Sequence, residues 1–335
     1  MNEAKNQLYN ESIIIDASCP LSSIGEYSEL FYKGGVTVLA ASLQPTEGIF
    51  SDIVHNIIFW YDKINRNPDH LILIRTVDDI IKAKKENKMG ILFYHDNCQC
   101  LQGEIGMLEL YYNLGLRQQG LCYNYRNSVG DGCSEPSNGG LSVFGEQCVK
   151  EMNRLGIAID LSHVGERTSL ETMEVSKKPV MFSHSNSKSV YNNNRNITDQ
   201  QAIRCAKNGG VIGLNAVGYF ISKKINPTLN DLIDHLDYYA QLVGIDHVCL
   251  GLDYYKGMEP FMSFETASSL YEDRVSRNIW DPATYPAPPW RFPKEIETPE
   301  NMCQWVPALR ARGYADSDIK KVLGENLIRF YREVW

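Results

Sequence analysis

The sequence predicts a (β/α)8 barrel. The first indication is that eight short apolar segments, rich in β-branched residues, alternate with amphipathic segments along the 335-residue chain. The second is that the short segments are continuously apolar, which is typical of parallel strands covered on both faces by helices. The third is that no GxGxxG or GxxxxGK pattern follows the first segment, which disfavours the nucleotide-binding form of the main alternative, a doubly wound open sheet.

The eight apolar segments are the predicted strands. In chain order they cover residues 12–16, 36–41, 90–95, 119–124, 157–162, 179–184, 210–215 and 247–253. A further apolar segment, LILIR at 71–75, is a candidate strand that we place outside the main sheet.

The amphipathic segments predict helices over residues 50–65, 77–87, 104–115, 143–155, 166–176, 198–208 and 228–243. Ser142 and Gly156 suit the N-cap and C-cap of the fourth of these helices. The segment 316–335 predicts an amphipathic helix that closes the outside of the barrel. The Pro- and aromatic-rich segment 258–300 predicts a long loop. We expect one domain over residues 1–335.

Composition limits the classes of function. The net charge is −8 and the pI is near 5.5, so a nucleic-acid partner is not expected. No window approaches the ~18 uninterrupted apolar residues of a membrane span, and residues 1–12 lack the apolar region of a secretory signal. These features and nine cysteines, an odd number, predict a cytoplasmic protein with reduced thiols. We interpret Cys98 and Cys100 as plain thiols.

Polar side chains occur at the C-terminal ends of most predicted strands, and in a barrel these ends converge on one site. His163, His184 and Asp96 would form a three-ligand metal site with an open position for water, and Asp253 could act as its general base. A hydrogen-bonded structural role is the alternative for each histidine taken alone. In strand order, the residues at these ends are Ser18, Asp96, Tyr123, His163, His184, Asn215 and Asp253.

Several stretches resemble the membrane (renal) dipeptidase family of zinc peptidases, a branch of the amidohydrolase superfamily. The order and spacing of DLSH, FSHSN and RNITD are the most specific signal, and the resemblance covers most of the chain from about residue 100 onward. It implies a barrel of the metallo-dependent hydrolase type, with two zinc ions at the strand ends, that hydrolyses dipeptides. The stretches are GLSVFGEQCVKEMNRLGIAIDLSHVGERT, KPVMFSHSNSKSVYNNNRNITD, NGGVIGLN, HVCLGLDY and RGYADSDIKKVLGENLIRFYREVW.

The resemblance also implies which residues bind metal and move protons. His163 and His184 would bind one zinc ion. Asp96 stands where the family has a glutamate that bridges both ions, and its side chain is one methylene shorter. Asp253 would handle the proton.

Three residues are candidates for substrate binding. The resemblance implies that Arg195, in the RN motif, holds the substrate carboxylate. Tyr123 stands where the family has a histidine that contacts the substrate near the reacting carbonyl, so it is a candidate for both substrate binding and catalysis. Asn215, at the end of the seventh strand, is the third candidate.

The chain departs from the family at the first strand. The His-x-Asp motif that supplies the other zinc ion falls on Ser18 and Pro20 in the stretch DASCP. Proline has no side-chain ligand atom, and a neutral serine is a poor zinc ligand. Cys19 lies between them and should point to the other side of the strand. We therefore expect one Zn²⁺ per chain, with the second site absent.

Three functions are compatible with this pattern. The first is a hydrolase that cleaves a dipeptide or small amide with a water activated by one metal ion. The second is a non-hydrolytic relative that modifies or binds a small peptide-derived metabolite, and the third is an inactive binding protein. The presence of both histidines with Asp253 and Arg195 favours the first. A homodimer is a candidate state, because members of the family are often homodimers.

Overall fold

The computed structural model describes residues 3–20, 27–43, 50–256 and 258–335. Within these residues, nine strands form one sheet in which all pairs are parallel. The strands are β1 (Ile15–Cys19), β2 (Val38–Ser42), β3 (Leu71–Leu73), β4 (Met89–His95), β5 (Leu116–Gly120), β6 (Ala158–Asp160), β7 (Met181–Phe182), β8 (Val211–Leu214) and β9 (Val248–Leu250).

Eight of the strands curve round into a nearly closed barrel. Their order in the sheet is β1-β2-β4-β5-β6-β7-β8-β9, which is their order along the chain. The two ends of the sheet meet where the amide of Asp253 donates to the carbonyl of Ser18 at 3.1 Å. The prediction of a (β/α)8 barrel is confirmed.

The segment LILIR contains the remaining strand, β3. It pairs with the beginning of β4, from Leu71 opposite Met89 to Leu73 opposite Ile91, whereas β5 pairs with the later part of β4, from Phe93 onward. The predicted strand therefore exists, but it is hydrogen-bonded to the barrel sheet and does not lie outside it.

Helices follow the barrel strands as predicted. Ser142 accepts a hydrogen bond from the amide of Gly145 at 2.9 Å, and Gly156 ends the same helix with a left-handed φ of 78°, so both predicted caps are present. No helix within the described residues is both long and apolar enough to cross a membrane. The helices are α1 (Glu3–Glu11), α2 (Ser28–Lys33), α3 (Phe50–Arg66), α4 (Val77–Lys85), α5 (Met107–Asn113), α6 (Val143–Leu155), α7 (Glu166–Val175), α8 (Asp199–Lys207), α9 (Gly218–Ile221), α10 (Leu229–Val243), α11 (Phe264–Ser276), α12 (Trp305–Ala311), α13 (Asp316–Lys320) and α14 (Asn326–Val334).

The C-terminal helix closes the bottom of the barrel, which corrects the prediction that it covers the outside. Phe330 and Tyr331 of α14 pack in one apolar cluster with the inward side chains of the strands, among them Val38 and Val211. The indole of Trp335 donates to the carbonyl of Arg117 near the start of β5 at 3.2 Å. The N-terminal end of the barrel is therefore sealed, and its C-terminal end is left for the site.

The fourth barrel strand lies earlier than predicted, at Leu116–Gly120 and not at 119–124. The sequence of this strand, LRQQG, is polar, so it gives no hydrophobic signal. Its polar side chains are paired inside the protein: Gln118 donates to Asp160 at 3.1 Å, and Gln119 contacts a ring nitrogen of His95 at 3.0 Å. Tyr123 consequently lies beyond the strand and not at its end.

The segment 258–300 is not a plain loop, because it contains α11. After α11 it passes over the C-terminal end of the barrel. There, the carbonyl of Thr284 accepts a hydrogen bond from Asn193 at 3.0 Å, and the carbonyl of Arg291 accepts one from the amide of Gly218 at 3.0 Å. We call residues 264–292 the covering segment.

Asp16 helps to close the barrel from inside. Its Oδ1 accepts hydrogen bonds from the amides of Leu252 at 2.8 Å and Ser18 at 3.3 Å, while its buried Oδ2 has no partner among the described residues. Burial raises the pKa of this carboxyl to about 7. The folded protein therefore keeps a proton on Asp16 between about pH 4 and its own pKa, where the unfolded chain releases it. The free energy of unfolding should fall as pH rises through this window.

We expect Asp16→Asn and Asp16→Ala to differ in their effects on stability. Asparagine keeps the Oδ1 acceptor but does not ionise, so Asp16→Asn should be more stable relative to the wild type at pH 8 than at pH 5. Alanine leaves the buried Leu252 amide unpaired, which costs about 1–3 kcal/mol. Denaturant unfolding of both variants at the two pH values measures these effects. A pH-independent difference for Asp16→Asn would contradict the ionisation of Asp16.

Candidate active site

Two histidine rings meet at the C-terminal end of the barrel. His163 follows β6 and His184 follows β7, and these strands are neighbours in the sheet. Their Nε2 atoms are 3.1 Å apart, and their ring centroids are 5.1 Å apart. The two Ser-His motifs of the sequence therefore build one pair.

Neighbouring side chains determine which nitrogen of each ring carries the proton. His163 Nδ1 lies 2.9 Å from Asn124 Oδ1, which can only accept, so Nδ1 is the donor. His184 Nδ1 lies 2.6 Å from the Ser183 hydroxyl, whose proton is donated to Asp160. His184 Nδ1 must therefore also donate. Both Nε2 atoms are left with lone pairs that face one another.

The imidazole pair fits one divalent cation. Burial lowers the pKa of both rings well below its usual value, and the Arg195 guanidinium lowers it further, so the rings are neutral. Two neutral lone pairs at 3.1 Å repel each other unless a positive charge lies between them. Neutral imidazole nitrogens are preferred ligands of zinc and related metals. The chemistry of the pair thus suits two ligands of a single ion.

The backbone at the site is held in an uncommon conformation. Asn124, His163 and Asp253 have φ angles of 56°, 67° and 61°, in the left-handed region that few non-glycine residues adopt. Each such residue costs on the order of 1–3 kcal/mol, and such residues concentrate at functional sites. All three residues lie in the loops just after β5, β6 and β9, at the C-terminal end of the barrel.

Asp96 follows β4 and accepts a hydrogen bond from the Ser42 hydroxyl to its Oδ2 at 2.9 Å. Burial raises the pKa of this carboxyl to about 6, although the hydroxyl groups of Ser42 and Tyr94 oppose the shift. Among the described residues, no group of three or more His, Cys, Asp or Glu side chains is placed to hold a metal ion. The structure therefore assembles the imidazole pair without Asp96 in contact as a third ligand.

Asp253 lies after β9 and is partly buried. Asn215 donates to its Oδ2 at 3.1 Å, so two of the predicted site residues contact each other. Burial raises the pKa of the Asp253 carboxyl to about 8, the cation of Arg195 opposes this shift, and the charge of Asp96 adds to it. A carboxyl group that titrates in the neutral range can take and return a proton.

Arg195 is almost fully buried, with 2% of its surface exposed. Its Nη1 donates to Ser185 Oγ at 3.0 Å, and its Nη2 donates to the carbonyl of His184 at 2.9 Å. Its Nε has no hydrogen-bond partner among the described residues. Since a buried guanidinium nitrogen without a partner is costly, Arg195 is suited to an anionic group that a ligand would bring.

A cavity of about 160 Å³ lies beside the imidazole pair, and His163 and Arg195 both line it. Lys188 and Cys133 lie on its wall as well. The cations of Arg195 and Lys188 are balanced in number by the carboxylates of Glu135 and Glu166 on the same wall, so an anionic group would be held by its direct contact with Arg195 and not by the net charge of the cavity.

Tyr123 packs directly on the metal-ligand candidate. Its ring is stacked on that of His163, with centroids 4.3 Å apart and an interplanar angle of 27°. The indole of Trp280 donates to the Tyr123 hydroxyl at 3.4 Å. Tyr123 therefore reaches the site although it lies outside the strand that was predicted to present it.

The first strand presents no ligand pair. Ser18 Oγ is 3.0 Å from the hydroxyl of Tyr94, and Pro20 has no donor atom in its side chain. Cys19 packs in the apolar layer between the strands and the helices, where its thiol lies 3.6 Å from the carbonyl of Tyr254. The expectation that Cys19 points away from the site is confirmed.

Several residues that support the site were not identified from the sequence. Asp160 could have been identified from the sequence, because it lies three residues before His163 in the DLSH motif. In the structure it accepts hydrogen bonds from the amides of Ser162 and Ser183 at 3.0 and 2.9 Å. Tyr94 and Asn124 gave no signal, since a tyrosine within a buried strand and an asparagine in a loop are ordinary in any protein.

Comparisons with known proteins bear on the function of this site. The model of the membrane dipeptidase family, peptidase family M19, matches residues 36–274. The chain is 35% identical over 191 residues to the uncharacterized dipeptidase C965.12 of Schizosaccharomyces pombe, covering 55% of this chain and 46% of that protein. It is 27% identical over 300 residues to dipeptidase tcpJ of Claviceps purpurea, covering 86% of this chain and 63% of that protein. The chain thus spans less than two thirds of the length of either relative.

A solved structure matches over the full length. The crystal structure of an amidohydrolase from Pseudomonas aeruginosa aligns with a TM-score of 0.90 and 33% sequence identity, covering 99% of each chain. The whole barrel, including the covering segment, therefore has a close structural counterpart.

Proposed function

Because the chain belongs to the membrane dipeptidase family, peptidase family M19, we propose that it is a metal-dependent hydrolase that cleaves a dipeptide or a small amide with one metal ion and not two. The observation that carries this proposal is the imidazole pair, whose Nε2 lone pairs face each other at 3.1 Å. Two neutral, oriented nitrogens in a buried site at the mouth of a barrel have no evident structural purpose without a cation between them.

His163 and His184 would hold the ion, and Asp96 is the third ligand that we propose. A bound zinc ion would polarise a carbonyl group and lower the pKa of a nearby water. The chain's own residues hold the two imidazoles in the correct tautomer, through Asn124 on one side and through Ser183 and Asp160 on the other.

Two contacts and one missing ligand support a single ion. The position of the family's first-strand histidine carries Ser18, which is hydrogen-bonded to Tyr94. Ser42 donates to Asp96 at 2.9 Å, so a neutral hydroxyl group contacts the carboxylate that would otherwise bridge two ions. Pro20 supplies no ligand. A hydrogen-bond network thus stands where a second cation would need charged donors.

Asp253 is proposed as the proton carrier. Asn215 fixes its Oδ2, which leaves Oδ1 to accept a proton from the attacking water and to return it to the leaving amine. Transfer in both directions requires a carboxyl group whose pKa lies near neutrality, and burial moves the pKa of Asp253 in that direction.

Arg195 and Tyr123 are proposed to position the substrate. The unpaired Nε of Arg195 suits the terminal carboxylate of a dipeptide, and the cavity that Arg195 and His163 share would hold the part of the substrate between that carboxylate and the reacting carbonyl. Tyr123, stacked on His163, would contact the substrate beside the carbonyl. The nine cysteines, an odd number, support a reducing compartment such as the cytoplasm.

Hydrolysis of unmodified dipeptides by the zinc-loaded protein tests the proposal. We expect amidation of the dipeptide's C-terminus to lower kcat/KM by about 10- to 100-fold, because a charge-assisted hydrogen bond contributes about 1.5–3 kcal/mol. The same comparison in Arg195→Gln should show a ratio near unity, with Arg154→Gln, an exposed arginine of α6 that pairs with Glu151, as the matched control that keeps the preference. Absence of hydrolysis across a panel of dipeptides would contradict the proposal. An unchanged ratio in Arg195→Gln would remove Arg195 from substrate binding.

A further inference from the structure

Asn124 is a buried residue on which three polar groups converge. Its Oδ1 lies 2.9 Å from His163 Nδ1, 2.9 Å from the hydroxyl of Tyr285 and 3.7 Å from the thiol of Cys133. Its Nδ2 donates to the carbonyl of Ile279 at 3.3 Å. One amide group therefore links the ring of His163 to the covering segment at two points.

The contacts fix which end of the Asn124 amide faces His163. The carbonyl of Ile279 needs a donor, so it must face Nδ2, and Oδ1 is left for His163 and Tyr285. Since Oδ1 can only accept, His163 Nδ1 must donate and Nε2 must stay unprotonated. The position of a proton on His163 thus depends on an amide that the covering segment holds in place.

The covering segment also reaches His163 through its ring face. Trp280 donates to the hydroxyl of Tyr123, and Tyr123 stacks on His163. Trp280 and Tyr285 are themselves stacked, with centroids 5.0 Å apart and an interplanar angle of 2°. The aromatic residues that contact Tyr123 and Asn124 are therefore packed on each other.

The other member of the pair is held differently. His184 is oriented by Ser183 and Asp160, which lie on or directly after strands of the barrel itself. A carboxylate supports His184, whereas a neutral amide supports His163. Among the described residues, the hydrogen bonds of the His184 ring come from the barrel, whereas the Asn124 amide that bonds the His163 ring is itself held by the covering segment.

We infer that Asn124 is a positioning residue that sets the tautomer of His163, and that Tyr285 of the covering segment acts through Asn124 on the same ring. The relevance of this tautomer to metal binding rests on the proposed function. The tautomer itself does not, because it can be measured in the metal-free protein.

The test is ¹⁵N NMR of metal-free protein labelled at its seven histidines, with His163→Gln to assign the resonances of His163. Wild-type His163 should show the Nδ1-protonated tautomer. Asn124→Gly removes the acceptor and still tolerates the φ of 56°, so His163 should become a mixture of tautomers. Asn124→Asp restores an acceptor and should restore the wild-type tautomer. Tyr285→Phe should shift His163 in the same direction as Asn124→Gly, by a smaller amount.

Asn193→Ala is the matched control, since Asn193 also holds the covering segment, through the carbonyl of Thr284, and has no contact with His163 among the described residues. It should leave the His163 tautomer unchanged. Thermal melting of each variant shows whether it is folded. A folded Asn124→Gly protein that keeps the pure Nδ1-protonated tautomer would overturn the inference.

Zinc affinity, measured by competition with a chelator, gives the second readout. Removing a partner of a ligating histidine typically weakens metal binding by about 10- to 100-fold, so Asn124→Gly should lose affinity in this range and Asn124→Asp should recover it. A wild-type protein that binds no zinc would refute the proposed function, while the tautomer measurement would still decide the role of Asn124.

Discussion

Replacing both histidines of the pair, as His163→Ala/His184→Ala, should abolish metal binding and hydrolysis together. The wild-type protein should contain about one zinc ion per chain, measured by plasma mass spectrometry, and the double variant should contain none. Because a bound metal ion supplies several kcal/mol of charge stabilisation in such reactions, the rate should fall by at least about 10³-fold. This is the largest effect that we expect from any substitution.

The control for this experiment is His55→Ala. His55 lies exposed on α3, so its removal tests whether loss of a histidine far from the site affects metal content. Two zinc ions per wild-type chain would contradict the single-ion proposal. No zinc in either protein, even after zinc is added, would exclude hydrolysis that depends on a metal and would favour a binding protein or a relative with different chemistry.

Placing metal ligands at Ser18 and Pro20 would not by itself restore a second metal ion if the hydrogen bonds around Tyr94 and Asp96 are the reason why that ion is absent. Ser18 and Tyr94 share a hydrogen bond at 3.0 Å, and Asp96 accepts one from the Ser42 hydroxyl at 2.9 Å. A carboxylate satisfied in this way gains less from a cation than an unpaired one would. The polar groups around the position of the missing His-x-Asp motif are thus hydrogen-bonded to one another. This supports the proposal of a stable site for one metal ion.

Most of the fold could be predicted because parallel strands covered on both faces leave a strong apolar signal. β5 was misplaced because its side chains are polar and are satisfied inside the protein, as with Gln118 and Asp160. The position of α14 beneath the barrel could not be predicted, because an amphipathic pattern shows that a helix has an apolar face and not what that face covers. The strand LILIR was found, but its pairing with β4 is a long-range property.

The residues of the candidate site also fall into two groups, those that the sequence identifies and those that only the structure reveals. The residues that we propose to act directly, such as His163, His184 and Asp253, lie in short motifs next to strand ends, and a sequence shows them. Asn124 and Tyr285, which we propose to act through other side chains, are 161 residues apart in the chain, so only the folded structure brings them together. Asp96 follows its strand as predicted, but the described residues do not bring it together with the two histidines as a three-ligand cluster. A position in the sequence therefore does not establish a contact.

Asp253→Asn should leave the metal content unchanged and lower kcat by about 10²- to 10⁴-fold, the usual effect of losing a general base. Asparagine keeps the size of the side chain and can still accept the hydrogen bond from Asn215, but it cannot take a proton from water. Asp246→Asn is the matched control, since Asp246 is an exposed aspartate that pairs with Lys321 on the opposite end of the barrel. Loss of zinc in Asp253→Asn would instead make Asp253 a ligand.

The stability of the metal-free protein gives an independent check on Asp253. Burial raises the pKa of its carboxyl to about 8, so between about pH 4 and that value the folded protein holds a proton that the unfolded chain releases. The wild-type free energy of unfolding should therefore fall as pH rises through this range, and Asp253→Asn should lack the part of the fall that Asp253 causes. Relative to the wild type, Asp253→Asn should then be more stable at pH 8 than at pH 5, although the variant is nearly inactive. A variant that loses activity without this change in pH dependence would show that Asp253 is already ionised in the folded metal-free protein, which would contradict the raised pKa of its carboxyl.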